Sequence, residues 1–342
     1  MKKAVVTGAG GFIGGHLTGE LIKKGYQVRA VDKKPLNQWY QVFEKADNIV
    51  LDLTVKENCY RAVNGYNEVF NLAADMGGMG FIETHKADCM LSVLINTHML
   101  MAARDCGIER YFYSSSACVY NGEKQTDPDN PGLKESDAYP ALAEDGYGWE
   151  KLFSERMCRH FMEDYGLITR VARFHNVYGP FGTYDGGREK APAAICRKII
   201  AKELYGTDEI VIWGDGHQTR SFMYIDDCIK GVIEIMYSDI EEPINLGSSE
   251  MVSVNRLVDI AEEIAGYKLK RKYDPDAPKG VRGRNSDNTL IKKYLGWEPS
   301  IPLREGLEKT FRWIREQMLK DKEMKEKTAG KRGHGYKSVF ND

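Results

Sequence analysis

The run Lys3-Ala4-Val5-Val6-Thr7, followed at once by Gly8-Ala9-Gly10-Gly11-Phe12-Ile13-Gly14-Gly15, most narrows what this chain can fold into. A β-branched strand pattern gives way, within a few residues, to a helical pattern from Phe12 to Lys24. Glycines at such a junction permit a tight turn, a close approach of backbone to a ligand, and close packing of helix on strand. The spacing Gly8-xx-Gly11-xx-Gly14 departs from the strict G-x-G-x-x-G but serves the same purpose. It aims a helix N-terminus, with its unpaired N–H groups, at the place a pyrophosphate would occupy. Gly8, Gly11, Phe12, Ile13 and Gly14 are therefore candidate cofactor contacts. The second strand, Gln27 to Asp32, ends on a carboxylate eighteen residues after Gly14. A carboxylate there accepts hydrogen bonds from ribose hydroxyls and repels a 2′-phosphate, which favours NAD over NADP. Lys33 and Lys34 follow directly and weigh slightly the other way. Asp52-Leu53, after the third strand, stands where an adenine amino group would be met, although Asp52 also suits a helix cap.

The rest of the chain supports that turn with a substantial core. With 342 residues, 42% apolar and 29% charged, it is a globular protein of one large domain or two. A net charge of −2 sets up no field for nucleic acid or an anionic membrane. No apolar run approaches the ~18 residues of a membrane span. After Met1-Lys2-Lys3, the apolar stretch Ala4-Val5-Val6 is shorter than the roughly 7–15 residues of a signal-peptide core. The seven cysteines (59, 89, 106, 118, 158, 196 and 228) contain no CxxC pair, which argues against a disulfide framework or a zinc site. The expectation is a reduced, cytoplasmic protein without a structural metal.

Strand patterns at Ile49–Leu51, Val69–Leu72, Arg110–Ser115 and Ile168–Phe174 alternate with helical patterns at Cys89–Cys106 and Gly148–Tyr165. Near-continuous apolar strands separated by helices predict an α/β fold, a Rossmann-type doubly wound parallel sheet covered on both faces. From Asn176 onward, long Gly- and Pro-containing loops separate helices near 191–203, 253–265 and 303–319 and strands at 210–212 and 244–246. This predicts a dinucleotide-binding domain over 1–175, with a returning segment near 221–240. A smaller C-terminal α/β lobe over 176–320 would then bind substrate, followed by a charged tail, 321–342, solvated or docked through Tyr336 and Phe340.

Ser114-Ser115-Ser116-Ala117-Cys118 closes the fifth strand, and Tyr147-Gly148-Trp149-Glu150-Lys151 opens the next helix. Tyr147 and Lys151, four apart, share one helix face. An ammonium beside a phenol stabilises phenolate and lowers its pKa, and the positive ring of a bound nicotinamide would act the same way. Tyr147 then becomes a base for a sugar hydroxyl, with Ser116 beside it. Alone, this pair occurs by chance in many helices; its position after a glycine turn, an acidic strand end and a serine cluster makes it specific.

This combination resembles the extended short-chain dehydrogenase/reductase family, the nucleotide-sugar epimerases and dehydratases. The likeness covers about residues 1–320 and includes Asn71-Leu72-Ala73-Ala74 and Arg173-Phe174-His175-Asn176-Val177-Tyr178-Gly179-Pro180. It implies NAD, with Ala73 among its contacts, a nucleotide-sugar substrate held by the C-terminal lobe, and a homodimer built through a four-helix bundle. Further segments occur together: Asp75-Met76-Gly77-Gly78-Met79-Gly80, Gly186-Gly187-Arg188-Glu189-Lys190-Ala191-Pro192, Gly214-Asp215-Gly216-His217-Gln218-Thr219-Arg220 and Gly283-Arg284-Asn285-Ser286. As a set they are similar to the branch of that family that acts on GDP-mannose. Departures fall at Asn121-Gly122 and across 199–209.

That resemblance implies inversion at C3 and C5 of GDP-mannose, giving GDP-L-galactose, with GDP-L-gulose from C5 alone. No side chain can remove these C–H protons directly; oxidation at C4 to a ketone puts both carbons beside a carbonyl. Inversion then needs a proton-transfer group on each face of the ring. The resemblance assigns Cys118 as base and Lys190 as acid, and a thiolate near a cation and a desolvated lysine suit those tasks. By themselves, Cys118 also suits a small buried residue and Lys190 a surface or phosphate-binding lysine. Lys198, Arg220 and Arg284 are the expected diphosphate contacts. Gly77, Ser116, Ala117, Asn176, Glu189, Ala191, Gln218 and Thr219 are further expected substrate contacts, and His175 is structural. A 4,6-dehydratase would need an acid near C6 that Ala117-Cys118 does not offer. A 4-epimerase needs neither Cys118 nor Lys190, and a non-catalytic NAD-binding scaffold has no need of Tyr147 or Lys151.

Overall fold

The structure, a computed structural model, describes residues 1–333, with side chains described through Glu326. Its centre is a seven-stranded sheet: β1 (Lys3–Thr7), β2 (Gln27–Asp32), β3 (Asp47–Val50), β4 (Glu68–Asn71), β5 (Arg110–Ser116), β6 (Ile168–Phe174) and β7 (Ile244–Leu246). The order is β7-β6-β5-β4-β1-β2-β3, and every pairing is parallel. Successive side chains of β1 enter different layers. Ala4 and Val6 join Leu17, Leu21, Val28, Phe70 and Phe112 on one face. Val5 joins Val31, Val69, Met99, Leu100 and Phe161 on the other. Both faces are thus apolar and covered, as a parallel sheet requires. Each fully buried leucine such as Leu17 or Leu21 contributes about 1.5–3 kcal/mol relative to exposure.

The helices that flank the site are α1 (Phe12–Lys23), α2 (Ser92–Asp105) and α3 (Tyr147–Tyr165). The helix expected over Cys89–Cys106 is two pieces, Lys86–Met90 and α2, with Leu91 between them. Beyond β6 come α4 (Ala191–Tyr205), α5 (Val254–Ala265) and α6 (Leu303–Gly333), which pack on one another. Three small sheets accompany them. Glu209–Trp213 pairs with Lys270–Asp274, Thr219–Ser221 lies between Met251–Ser253 and Gly283–Arg284, and Val177–Tyr178 pairs with Met223–Tyr224. The last helix runs to Gly333 instead of stopping near 319, because its extension is tied to the body. Tyr184 Oη donates to Asp321 at 2.8 Å, and Lys322 Nζ donates to the Leu204 carbonyl at 2.9 Å. Tyr336 and Phe340 lie outside the described residues. Among the described residues no helix is long and apolar enough to cross a membrane.

Candidate active site

The chain leaves β1 in one direction for β2 and β3 and returns on the other side for β4, so a crevice opens between the C-terminal ends of β1 and β4. Thr7 stitches that switch point. Its hydroxyl donates to Asn71 Oδ1 at 2.7 Å and accepts from the Leu72 and Ala73 amides at 3.0 and 3.1 Å. Gly8 sits at φ +69, where a Cβ would meet the Leu72 carbonyl oxygen at 3.0 Å; at Gly14 a Cβ would stand 2.2 Å from the Gly8 carbonyl oxygen. The helix begins at Gly11 with no side-chain cap, leaving its first N–H groups for an external acceptor. This bare cradle, with buried Asp32 at the end of β2, fits the pyrophosphate and ribose of a dinucleotide.

The two lysines after Asp32 are already engaged. Lys34 Nζ donates to the Gly10 carbonyl at 2.8 Å, and Lys33 Nζ pairs with Asp75 at 3.2 Å. Neither is left for a 2′-phosphate. Asp52 accepts from the Thr54 amide and hydroxyl, bonds that hold its carboxyl below the ordinary aspartate value. One of its oxygens therefore closes its own turn, while Leu53 is buried beneath.

Tyr147 opens α3, buried, with Lys151 one turn on. The Lys151 ammonium donates to the Ser114 carbonyl at 3.0 Å and lies 5.6 Å from the Tyr147 ring centroid. The expected lowering of the phenol pKa is absent from the chain alone. Burial pushes the Tyr147 phenol well up, reinforced by Cys118 and Glu150, and a hydrogen bond with Ser116 opposes this only in part. Burial also pushes the Lys151 ammonium down. Behind Lys151 a buried polar network links Asn71, Asn96, Glu150, Ser154 and Tyr113, and Asn96 Nδ2 donates to Glu150 Oε1.

Ala117-Cys118-Val119 forms a short 3₁₀ turn capped by Ser116, whose hydroxyl accepts from the Cys118 amide at 3.2 Å. Cys118 shares an apolar cluster with Tyr147, Cys89 and Phe81. Burial, then Glu144, pushes its thiol up, while Arg284 pulls it down. Lys190 arrives from another loop as the residue before α4. Burial lowers its ammonium and the Cys118 charge raises it, so the two groups sense one another.

The Lys190 loop is seated on 75–80. The Gly78 amide donates to the Arg188 carbonyl at 3.0 Å, Arg188 pairs with Asp75 at 2.6 Å, and its guanidinium lies 3.7 Å from the Phe81 ring centroid. A Cβ on Gly78 would stand 2.4 Å from the Glu189 carbonyl oxygen, a backbone atom that cannot swing aside. Gly78→Ala is therefore expected to unseat Lys190 and reduce turnover about tenfold or more, while thermal stability drops by no more than ~1–3 kcal/mol. Steady-state kinetics alongside a melting curve checks this.

Other expected contacts take varied positions. Arg220 donates to the Thr219, Lys279 and Val281 carbonyls, and burial together with Arg284 pushes its guanidinium below the ordinary arginine value. Its positive charge has no carboxylate partner in these bonds, as suits an anion site. Lys198 Nζ donates to the Val211 carbonyl at 2.7 Å and stands 6.0 Å from the Trp213 ring centroid. Gln218 Nε2 donates to the Trp213 carbonyl, and its buried Oε1 has no partner. Thr219 Oγ1 donates to the Pro128 carbonyl. Asn176 adopts φ +40 and donates to the Ser221 carbonyl at 3.0 Å. Gly77 abuts Phe81. Glu189 braces its own loop, accepting from the Gly187 amide and Arg197, with Ala191 exposed at the helix start. His175 is fully buried against Asn245 and held neutral, its pKa pushed down by burial to about 4. Arg284 is already engaged by protein groups: its guanidinium lies on the Cys118 sulfur at 3.3 Å and on Glu144, inside the site. Glu144, three residues before Tyr147, and Glu150, between Tyr147 and Lys151, join the site without a motif of their own to mark them.

Residues 4–247 match the model of the NAD dependent epimerase/dehydratase family. The chain belongs to that family. Within it, the chain is 49% identical over 318 residues to GDP-mannose 3,5-epimerase 1 of Oryza sativa subsp. japonica, covering 93% of this chain and 82% of that protein. It is also 49% identical over 321 residues to GDP-mannose 3,5-epimerase of Arabidopsis thaliana, covering 94% and 84%. Among solved structures, UDP-glucose 4-epimerase of Thermotoga maritima with UDP-glucose aligns with TM-score 0.81 at 26% identity, over 92% of this chain and 99% of that one. The enzyme is thus an NAD-dependent member of the epimerase/dehydratase family with a Rossmann-type fold.

Proposed function

We propose that this enzyme epimerises GDP-mannose at C3 and C5 to GDP-L-galactose, with GDP-L-gulose as the C5-only product. The observation that carries the reading is Cys118 in one buried cluster with Tyr147 and next to Ser116, with Lys190 buried close enough to feel the Cys118 charge. When bound, NAD would supply the hydride acceptor for C4, the donor for its later reduction and a positive charge that favours phenolate. Gly8, Gly11, Phe12, Ile13, Gly14, Asp32, Asp52, Leu53 and Ala73 would hold it, with Tyr147 and Lys151 at its reactive end. Tyr147 takes the C4 hydroxyl proton, Ser116 orients that hydroxyl, and Lys151 holds the phenolate. Once C4 is a ketone, Cys118 removes the proton from the adjacent carbon and Lys190 returns one on the opposite face. Burial lowers the Lys190 ammonium, so it gives up its proton more readily than an ordinary lysine. Arg220 and Lys198 serve the diphosphate, with Gln218, Thr219, Asn176 and Gly77 shaping the sugar side.

In this reading residues 1–175 and the segment near 221–240 form the cofactor part, and 176–320 mainly the substrate part. A homodimer is supported by exposed apolar side chains on the segment Lys86–Asp105 and on α3, namely Met90, Leu91, Leu94, Trp149 and Phe153. A cytoplasmic setting is supported by seven unpaired cysteines, six of them buried. Incubation of the purified enzyme with GDP-mannose, followed by NMR of the products, tests the activity. GDP-L-galactose with some GDP-L-gulose is expected; a C4 epimer or a 4-keto-6-deoxy sugar as sole product overturns it.

A further inference from the structure

Arg284 belongs to the short strand Gly283–Arg284, far along the chain from Cys118, yet it is buried against it. Its Nε donates to Gln125 Oε1 at 2.6 Å, its Nη1 to Cys118 Sγ at 3.3 Å, and its Nη2 to Glu144 Oε2 at 3.0 Å. The rigid guanidinium fork thus spans a thiol and a carboxylate in one fixed plane. The backbone fastens the Cys118 turn to the Glu144 segment. The Glu144 amide donates to the Cys118 carbonyl at 2.9 Å, and Gly148 leaves no room for a Cβ, which would stand 2.2 Å from that carbonyl oxygen. The second carboxylate oxygen, Glu144 Oε1, is buried and has no hydrogen-bond partner. An unpaired buried carboxylate oxygen is costly unless it has a proton to receive.

We infer that Cys118, Arg284 and Glu144 form one proton-sharing set, in which Glu144 takes the thiol proton and Arg284 holds the resulting thiolate. Counting charge supports it. One guanidinium faces two groups that can each be anionic, so a single proton between them leaves the buried set neutral. Removing that proton gives the set a net negative charge, countered only by cations outside it. Two neutral arrangements remain: thiol with carboxylate, and thiolate with carboxylic acid. They interconvert by breaking the S–H bond and forming an O–H bond on Glu144, with no change in net charge. The other charged or titratable groups facing Cys118 are Arg220, Lys190, Lys151 and the Tyr147 phenol; Glu83 faces Glu144. Its use in turnover rests on the reading of Cys118 as an epimerisation group. Cys118 becomes a base without exporting its proton, and Glu144 hands the proton back when Cys118 must act as an acid. Arg284 is then catalytic through contact with the reacting sulfur, and Glu144 is a positioning residue.

The test measures Cys118 alkylation by iodoacetamide in the NAD-loaded enzyme as a function of pH, read on the Cys118 peptide by mass spectrometry. Two groups sharing a proton titrate in two steps. The wild type is expected to show a low, pH-independent rate through neutrality and a second rise at alkaline pH. Glu144→Gln is expected to show a single step, rising about tenfold per pH unit below its midpoint, while Glu144→Asp restores the two-step shape. Arg284→Gln is expected to alkylate about tenfold or more slowly at neutral pH, a shift of at least about one pKa unit. With GDP-mannose, Glu144→Gln is expected to lower kcat and leave KM within about twofold. Superimposable single-step profiles for wild type and Glu144→Gln overturn the inference. If the variants do not fold, ultraviolet thiolate absorbance of the wild type minus Cys118→Ala reads the same one or two steps. Because alkylation needs no sugar, a two-step profile in an enzyme that leaves GDP-mannose untouched refutes the activity and not the proton-sharing set.

Discussion

Replacing Cys118 with alanine is expected to cut deuterium uptake from heavy water at C3 and C5 of GDP-mannose by about 10²–10⁴-fold, the usual contribution of a positioned acid or base. Lys190→Ala is expected to do the same, while oxidation at C4 survives in both, seen as accumulation of reduced cofactor on mixing with substrate. The split follows from geometry. Cys118 and Lys190 come from the turn after β5 and the loop before α4, whereas the groups that serve C4, Tyr147 and Lys151, lie one helical turn apart on α3. Deleting the thiol also leaves Arg284 and Glu144 paired to one another, so the site stays neutral and the fold is expected to hold. Full exchange at both carbons in either variant would remove that residue from the proton-transfer pair.

Tyr147→Phe is expected to abolish every step together, including C4 oxidation, with kcat falling by about 10²–10⁴-fold. Without the phenol the C4 hydroxyl loses the base placed for it, and exchange at C3 and C5 cannot begin because no ketone forms. Lys151→Met is expected to leave weak activity that emerges only at higher pH. The variant loses the ammonium 5.6 Å from the ring, and a phenol without that cation ionises later. Stopped-flow measurement of cofactor reduction across pH checks both. Normal C4 oxidation in Tyr147→Phe would show that another residue is the base.

How far the sequence could be read depends on the reach of each interaction. The parallel sheet is legible because burial on both faces imposes apolar runs such as Ala4-Val5-Val6 on β1, and the glycine turn because two close approaches demand it. The Tyr147–Lys151 pair was legible because helix periodicity brings them together. The motif around Arg284 shows only a guanidinium suited to a diphosphate; its added contact with Cys118, 166 residues away, comes from tertiary packing. Spacing reveals the cation near the Tyr147 phenol but not the burial that raises that phenol in the chain alone. Lys33 and Lys34 stand next to Asp32 in the sequence, but only the fold brings Asp75 and the Gly10 carbonyl to them. The charged stretch after 319 read as a tail because its anchors, Tyr184 and Leu204, lie elsewhere in the chain.

The central claim is that one site oxidises C4 and exchanges protons at its two neighbours. The most direct measurement is NMR of GDP-sugars recovered after incubating the wild-type enzyme with GDP-mannose in heavy water. Deuterium at C3 and C5, with C4 retaining its original hydrogen, is the predicted result. Product sugars carrying no deuterium at either carbon would contradict the account.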